Sequence, residues 1–216
     1  MTVDTRVYAV LDPARCRGRP LGEMAEAAAR GGATLLQYRD KTGSTRSLIE
    51  AAAEIGKALA PFDVPLLIND RVDVALAVGC AGVHVGAEDM PAADARRLLG
   101  PDAIVGCTVH SAEEAEGVPG GILDYASVGG VFATVSKHNP QAPIGLEGVR
   151  ALIARLPDLP VCAIAGIDHS NAAEVIAAGA DGVAVISDIF MADDVTAATQ
   201  RLRRIVDAAL AERSRS

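Results

Sequence analysis

The chain has 216 residues, 50% of them apolar and 3% aromatic, with a formal net charge of −8. That length suits one α/β domain with a sizeable core. The charge argues against nucleic acid or an anionic membrane as the main partner, while allowing a local basic pocket for a small anion. Cys16, Cys80, Cys107 and Cys162 are far apart and form no CxxC; three sit in apolar or glycine-rich surroundings, as small core residues do. No signal-peptide pattern opens the chain and no apolar run is long enough to span a membrane, so a reducing cytoplasm is the expected setting.

Short β-like runs alternate with helix-like stretches along the whole chain. Strands are expected at Val7–Leu11, Thr34–Tyr38, Pro65–Ile68, Gly82–Val85, Ile104–Cys107, Tyr125–Val128, Val161–Ala165 and Gly182–Ile186. Helices are expected at Leu21–Arg30, Ser44–Leu59, Arg71–Val78, Pro91–Leu99, Ala112–Val118, Leu146–Leu156, Asn171–Ala178 and Ala192–Arg213. Gly31, Gly79, Gly100 and Gly179 follow periodic segments, as helix-terminating glycines do. Eight such pairs make the count of a single-domain (β/α)8 TIM barrel over residues 1–216. An open doubly wound sheet uses the same elements, but no GxGxxG follows the first strand. The stretch from Ala77 to Val85 echoes that from Ala177 to Val185, half a barrel apart, and reads as scaffold.

In such a barrel the active site lies at the C-terminal ends of the strands, and the unusual polar residues fall largely there. On an extended chain Gln37, Arg39 and Lys41 point one way and Tyr38 and Asp40 the other. An amide, a guanidinium and an ammonium on one patch suit a polyanion. The third strand ends in Asn69-Asp70, and Glu88-Asp89 follows the fourth. Asp70 and Asp89 come from neighbouring strands and suit Mg²⁺ bridging to a diphosphate. The plainer alternatives are a helix cap for Asp70 and a solvated turn for Glu88-Asp89. Asn69 suits an amide ligand to substrate or ordinary turn chemistry. Gly166 and Ile186-Ser187 fall at the usual phosphate position after strands seven and eight, or serve a turn and a helix cap. Lys137, with Thr134, Ser136, His138 and Asn139, suits a loop that closes over ligand, or a plain solvated loop. His84 reads as a barrel-interior histidine, and His110 and His169 as turn or helix-start residues; the four histidines have no zinc spacing.

The stretches QYRDK (37–41), LINDRVDVALAVG (67–79), GVHVGAEDMP (82–91), VGCTVHS (105–111), VFATVSK (131–137), AIAGI (163–167) and AAGADGVAVIS (177–187) together resemble the thiamine-phosphate synthase family. That resemblance implies a transferase joining a pyrimidine diphosphate to a thiazole phosphate, with Mg²⁺ as cofactor. It implies that Gln37, Tyr38, Arg39, Asp40, Lys41, Asn69, Thr108 and Lys137 bind the pyrimidine diphosphate. Arg39, Lys41 and Lys137 would act in catalysis, and Asp70 and Asp89 would hold the metal. Thr134, Val135, Ser136, Gly166, Ile186 and Ser187 would bind the thiazole phosphate. The reaction implied is a dissociative substitution: diphosphate leaves, a pyrimidine carbocation forms, and the thiazole nitrogen attacks without a general base.

The chain departs from the family at Ser136 (often Thr), Val135 (often Pro), Ala165 (the first Gly of a Gly-Gly-Ile) and Gly130 (often Pro). Thiazole tautomerases, isomerases on the same barrel, need no diphosphate site, and a non-catalytic binder of thiamine precursors needs no leaving-group clamp. Gln37, Arg39 and Lys41 with Asp70 and Asp89 argue against the first, and the metal carboxylates with Lys137 against the second. The expected partners are two small phosphorylated substrates, with a homo-oligomer left open.

Overall fold

A computed structural model describes residues 3–118, 120–134, 142–156 and 158–215. Eight parallel strands close into a barrel in chain order: β1 (Val7–Leu11), β2 (Leu35–Tyr38), β3 (Leu66–Asn69), β4 (Gly82–Val85), β5 (Ile104–Val109), β6 (Tyr125–Gly129), β7 (Val161–Ile164) and β8 (Gly182–Val185), with β8 pairing back onto β1. The outer helices are α1 (Leu21–Arg30), α2 (Thr45–Leu59), α3 (Val72–Val78), α4 (Ala92–Leu99), α5 (Ala112–Glu116), α6 (Gly145–Ile153), α7 (Ala172–Ala177), a short α8 (Ser187–Phe190) and α9 (Val195–Arg213). The (β/α)8 expectation therefore holds.

Strand alternation sorts the apolar residues into two cores. Val7, Ala9, Leu36, Tyr38, Val83 and Val128 face the helix layer. Tyr8, Val10, Leu35, Leu67, Tyr125 and Cys162 fill the barrel interior. The echoed segments share a local reason for their glycines. A Cβ on Gly82 would lie 1.9 Å from the Ile104 carbonyl oxygen, and one on Gly182 would lie 1.7 Å from that of Thr5. Both positions let neighbouring backbones approach closely, Gly82 between β4 and β5 and Gly182 where β8 closes onto β1.

The principal difference from the sequence expectation is α8. Its four residues are too few to show a helical period, yet Ile189 and Phe190 are fully buried. The long C-terminal helix starts later than expected because Asp194 caps it, its carboxylate accepting from the Ala197 N–H at 2.9 Å. Strand β7 stops at Ile164 because Ala165 turns to φ +86°. The four thiols are free; Cys16 and Cys162 are buried, Cys80 and Cys107 half-buried. No helix among the described residues is long and apolar enough to cross a membrane.

Candidate active site

Strand β2 ends at Tyr38, so alternation alone does not bring Arg39 and Lys41 to one patch. Each is held instead by a carboxylate from a flanking strand end. Arg39 donates to Asp12 Oδ2 at 2.5 Å, where Asp12 directly follows β1; both side chains are largely buried. The other Asp12 oxygen accepts from the Ala14 N–H at 3.0 Å and so caps the single 3₁₀ turn Pro13–Arg15. Lys41 forms an ion pair with Asp70, which directly follows β3.

Tyr38 and Asp40, which the resemblance also places among the substrate-binding residues, both have scaffold contacts in this structure. Tyr38 is 3% exposed and packs in the layer between barrel and helices. The Asp40 carboxylate accepts from the backbone N–H of Thr42 and Gly43, at 2.8 and 3.0 Å, and builds the turn before α2. Tyr38 stands on the face of β2 opposite Gln37, as alternation requires, and its hydroxyl lies 3.4 Å from Asp40 Oδ2.

Asp70 and Asp89 are brought together, close enough for each carboxyl to shift the pKa of the other. Burial, then the Asp89 carboxyl, pushes the Asp70 pKa up against the pull of Lys41. Burial also works to raise Asp89, but Asp70 and the bond from the Gly86 N–H (2.8 Å) outweigh it and the net shift is downward. Asp70 adopts φ +60°, which Asp tolerates better than most residues. Two carboxyls this close need a proton or a cation between them, and the hard oxygen donors fit Mg²⁺. Among the described residues no cluster of three or more His, Cys, Asp or Glu could hold a metal ion.

Below the mouth, five interior side chains form a continuous hydrogen-bonded chain. Gln37 Nε2 donates to the Tyr8 hydroxyl. The Tyr8 and Tyr125 hydroxyls lie 2.8 Å apart, Tyr125 reaches His84 Nδ1 at 2.7 Å, and His84 Nε2 reaches Thr108 Oγ1 at 2.7 Å. The chain joins strands β2, β1, β6, β4 and β5 and links Gln37 to Thr108 across the barrel. His84 is the interior histidine its position implied. Tyr8 and Tyr125 escaped the sequence reading, as did Asp12. Asn69 lies beside His84 in the β3–β4 register.

Across the mouth, a cavity of about 400 Å³ is lined by Thr134, Gly166, Ile186 and Ser187, together with Ala165 and Asp188. Gly166 turns at φ +66°, and its carbonyl accepts from Asn171 Nδ2 at 3.0 Å. His169 Nδ1 lies 2.8 Å from Asp188 Oδ1 and ties the loop after β7 to the first turn of α8. Four of the six residues expected for the thiazole phosphate therefore line one cavity. Val135, Ser136 and Lys137 lie outside the described residues.

A family model described as thiamine monophosphate synthase matches residues 7–189. A thiamine-phosphate synthase of Agrobacterium fabrum is 55% identical over 215 residues, covering 98% of each chain. One from Chloroflexus aurantiacus is 50% identical over 204 residues, covering 94% of each. The solved thiamine phosphate pyrophosphorylase from Pyrococcus furiosus superposes with a TM-score of 0.86 at 38% identity, over 96% of this chain and 98% of that one. A match through eight strands and the short eighth helix, at this identity, assigns transferase chemistry of the thiamine-phosphate synthase type, and the chain belongs to the thiamine monophosphate synthase family.

Proposed function

We propose that the chain joins a hydroxymethylpyrimidine diphosphate to a thiazole phosphate, plain or carboxylated, giving thiamine phosphate and diphosphate. The observation that carries this reading is a pair of unlike sites at one barrel mouth. One is the carboxyl pair Asp70–Asp89 beside Lys41. The other is the cavity between the β7 and β8 loops. A protein handling a single monophosphate has no need of the first.

The bond between the pyrimidine methylene and the diphosphate oxygen breaks, and its electron pair leaves with the diphosphate. Arg39, Lys41 and Lys137 offset the negative charge that develops there. Asp70 and Asp89 would hold Mg²⁺, which when bound supplies Lewis-acid neutralisation of the leaving group. Gln37, Asn69 and Thr108 orient the pyrimidine ring. The thiazole nitrogen then forms the new bond with its own lone pair; it carries no proton, so no general base is required. Thr134, Val135, Ser136, Gly166, Ile186 and Ser187 hold the thiazole phosphate in line, and the segment bearing Lys137 excludes water from the cation. The setting this chemistry suits is the cytoplasm, with free small-molecule substrates and neither nucleic acid nor membrane as a partner.

The test is to mix both phosphorylated halves with the protein, with and without Mg²⁺, and to follow diphosphate and thiamine phosphate. Equal amounts of both products, dependent on Mg²⁺, are expected. Isomerised thiazole without diphosphate would place the chain with the tautomerases, and binding without turnover would make it a carrier.

A further inference from the structure

We infer that Tyr8 and Tyr125 are positioning residues: they fix His84 as its Nε2–H tautomer and thereby leave the Thr108 hydroxyl hydrogen to be donated toward the pyrimidine. The inference rests on the proposed placement of the pyrimidine between Gln37 and Thr108.

The direction of the chain follows from hydrogen counting. Gln37 Nε2 is a donor and occupies an acceptor position on the Tyr8 oxygen. Tyr8 has one hydrogen of its own and is 1% exposed, and on its other side it bonds to Tyr125, at 2.8 Å. Donation to Tyr125 therefore keeps that hydrogen bonded. Tyr125, 0% exposed, then directs its own hydrogen to His84 Nδ1. A nitrogen that accepts there carries no hydrogen, so in the neutral ring the hydrogen sits on Nε2 and is donated to Thr108 Oγ1. Thr108 accepts from below, and its remaining hydrogen is available above, at the end of β5 facing the mouth. Burial raises the pKa of both tyrosines far above neutrality, so each keeps its hydrogen.

The packing is built for this path. Tyr125 meets Tyr8 edge-on, with ring centroids 5.6 Å apart at 85°. It lies 5.6 Å from the His84 ring. A Cβ on Gly106 would stand 2.1 Å from the Tyr125 ring, so the absence of a side chain at Gly106 is what admits the ring to the interior.

The experiment has two independent readouts on the full chain. The first is long-range ¹⁵N–¹H NMR of the ¹⁵N-histidine-labelled protein at neutral pH, with His84→Asn to assign the signal. A bare Nδ1 and a protonated Nε2 are expected, with loss of that fixed pattern in Tyr125→Phe. The second is steady-state kinetics of Tyr125→Phe and Tyr8→Phe. The KM for the pyrimidine diphosphate should rise about tenfold in Tyr125→Phe and less in Tyr8→Phe, while the KM for the thiazole phosphate stays within about twofold. A protonated Nδ1 in the unmodified protein overturns the inference, as does Tyr125→Phe with unchanged tautomer and KM. Should Tyr125→Phe not fold, the tautomer of the unmodified protein and the Tyr8→Phe kinetics still decide. Absence of turnover in the unmodified protein defeats the proposed function and leaves the tautomer readout standing.

Discussion

Asp12 holds Arg39 across adjacent strand ends, its Oδ2 accepting from the guanidinium at 2.5 Å while its other oxygen caps the turn that follows β1. One carboxylate thus fixes both the first loop of the barrel mouth and the direction of a cation assigned to the diphosphate.

Removing Asp12 should therefore damage stability and binding together. Asp12→Ala leaves a largely buried guanidinium unpaired, a loss of about 3 kcal/mol, which for a chain of this size lowers the Tm by roughly 6–12 °C. The KM for the pyrimidine diphosphate should rise well above that for the thiazole phosphate. Thermal unfolding and paired titrations of the two substrates check this. A Tm change under about 2 °C would mean the ion pair contributes nothing net.

Ala165 stands at φ +86°, where the family pattern has glycine, and its neighbour Gly166 is also left-handed. The left-handed region costs a residue with a Cβ about 1–2 kcal/mol, while glycine costs about 0.5–1 kcal/mol in lost freedom. Ala165→Gly should stabilise the protein by roughly 0.5–1 kcal/mol, seen as a higher urea midpoint at constant m. Because Ala165 lines the cavity beside Gly166, the KM for the thiazole phosphate should shift as well. A lower midpoint would show that other contacts of the Ala165 methyl outweigh the backbone strain.

The barrel was legible because each strand is a short apolar run closed by glycine or a polar pair, and both signals are local. The carboxylates Asp70 and Asp89 were legible for a similar reason, each lying just past a recognisable strand. The Tyr8–Tyr125–His84 path was not, because the two tyrosines are 117 residues apart in sequence and meet only when the barrel closes. Asp12 escaped notice because its bond to Arg39 spans 27 residues. The convergence of Arg39 and Lys41 was expected from strand alternation; the structure instead pairs Arg39 with Asp12 just past β1 and Lys41 with Asp70 just past β3, contacts that β2 alone cannot show.

Asp70→Ala and Lys137→Ala should each lose most turnover while remaining folded. Asp70 lies against Asp89 and pairs with Lys41, so its loss removes the proposed Mg²⁺ ligand and frees the lysine together. Circular dichroism should be unchanged, with kcat down by about two orders of magnitude or more, the scale of removing one group that stabilises transition-state charge. Raising Mg²⁺ should recover part of the rate in Asp70→Asn, which keeps an oxygen donor, and none in Lys137→Ala. Near-normal rates for both alanine variants would sink the assignment of the leaving-group site.

The thiols should be silent in the native protein. Burial pushes the Cys16 and Cys107 thiols up to about 11 and the Cys162 thiol up to about 12, and raises Cys80 as well. A thiol with a pKa near 11 is about 0.1% thiolate at pH 8, and only the thiolate attacks. Cys162 lies inside the barrel, 3.0 Å from the Ser127 hydroxyl, so reagent reaches it only when strands part. A thiol-reactive dye at pH 8 should therefore label the folded chain slowly, with the half-buried Cys80 and Cys107 reacting before the buried Cys16 and Cys162. In urea all four sites should label at the rate of a free thiol, and Cys162 should follow global unfolding. Rapid labelling of Cys162 under native conditions would mean that the barrel opens locally between β6 and β8, contrary to the closed register that joins those strands through β7.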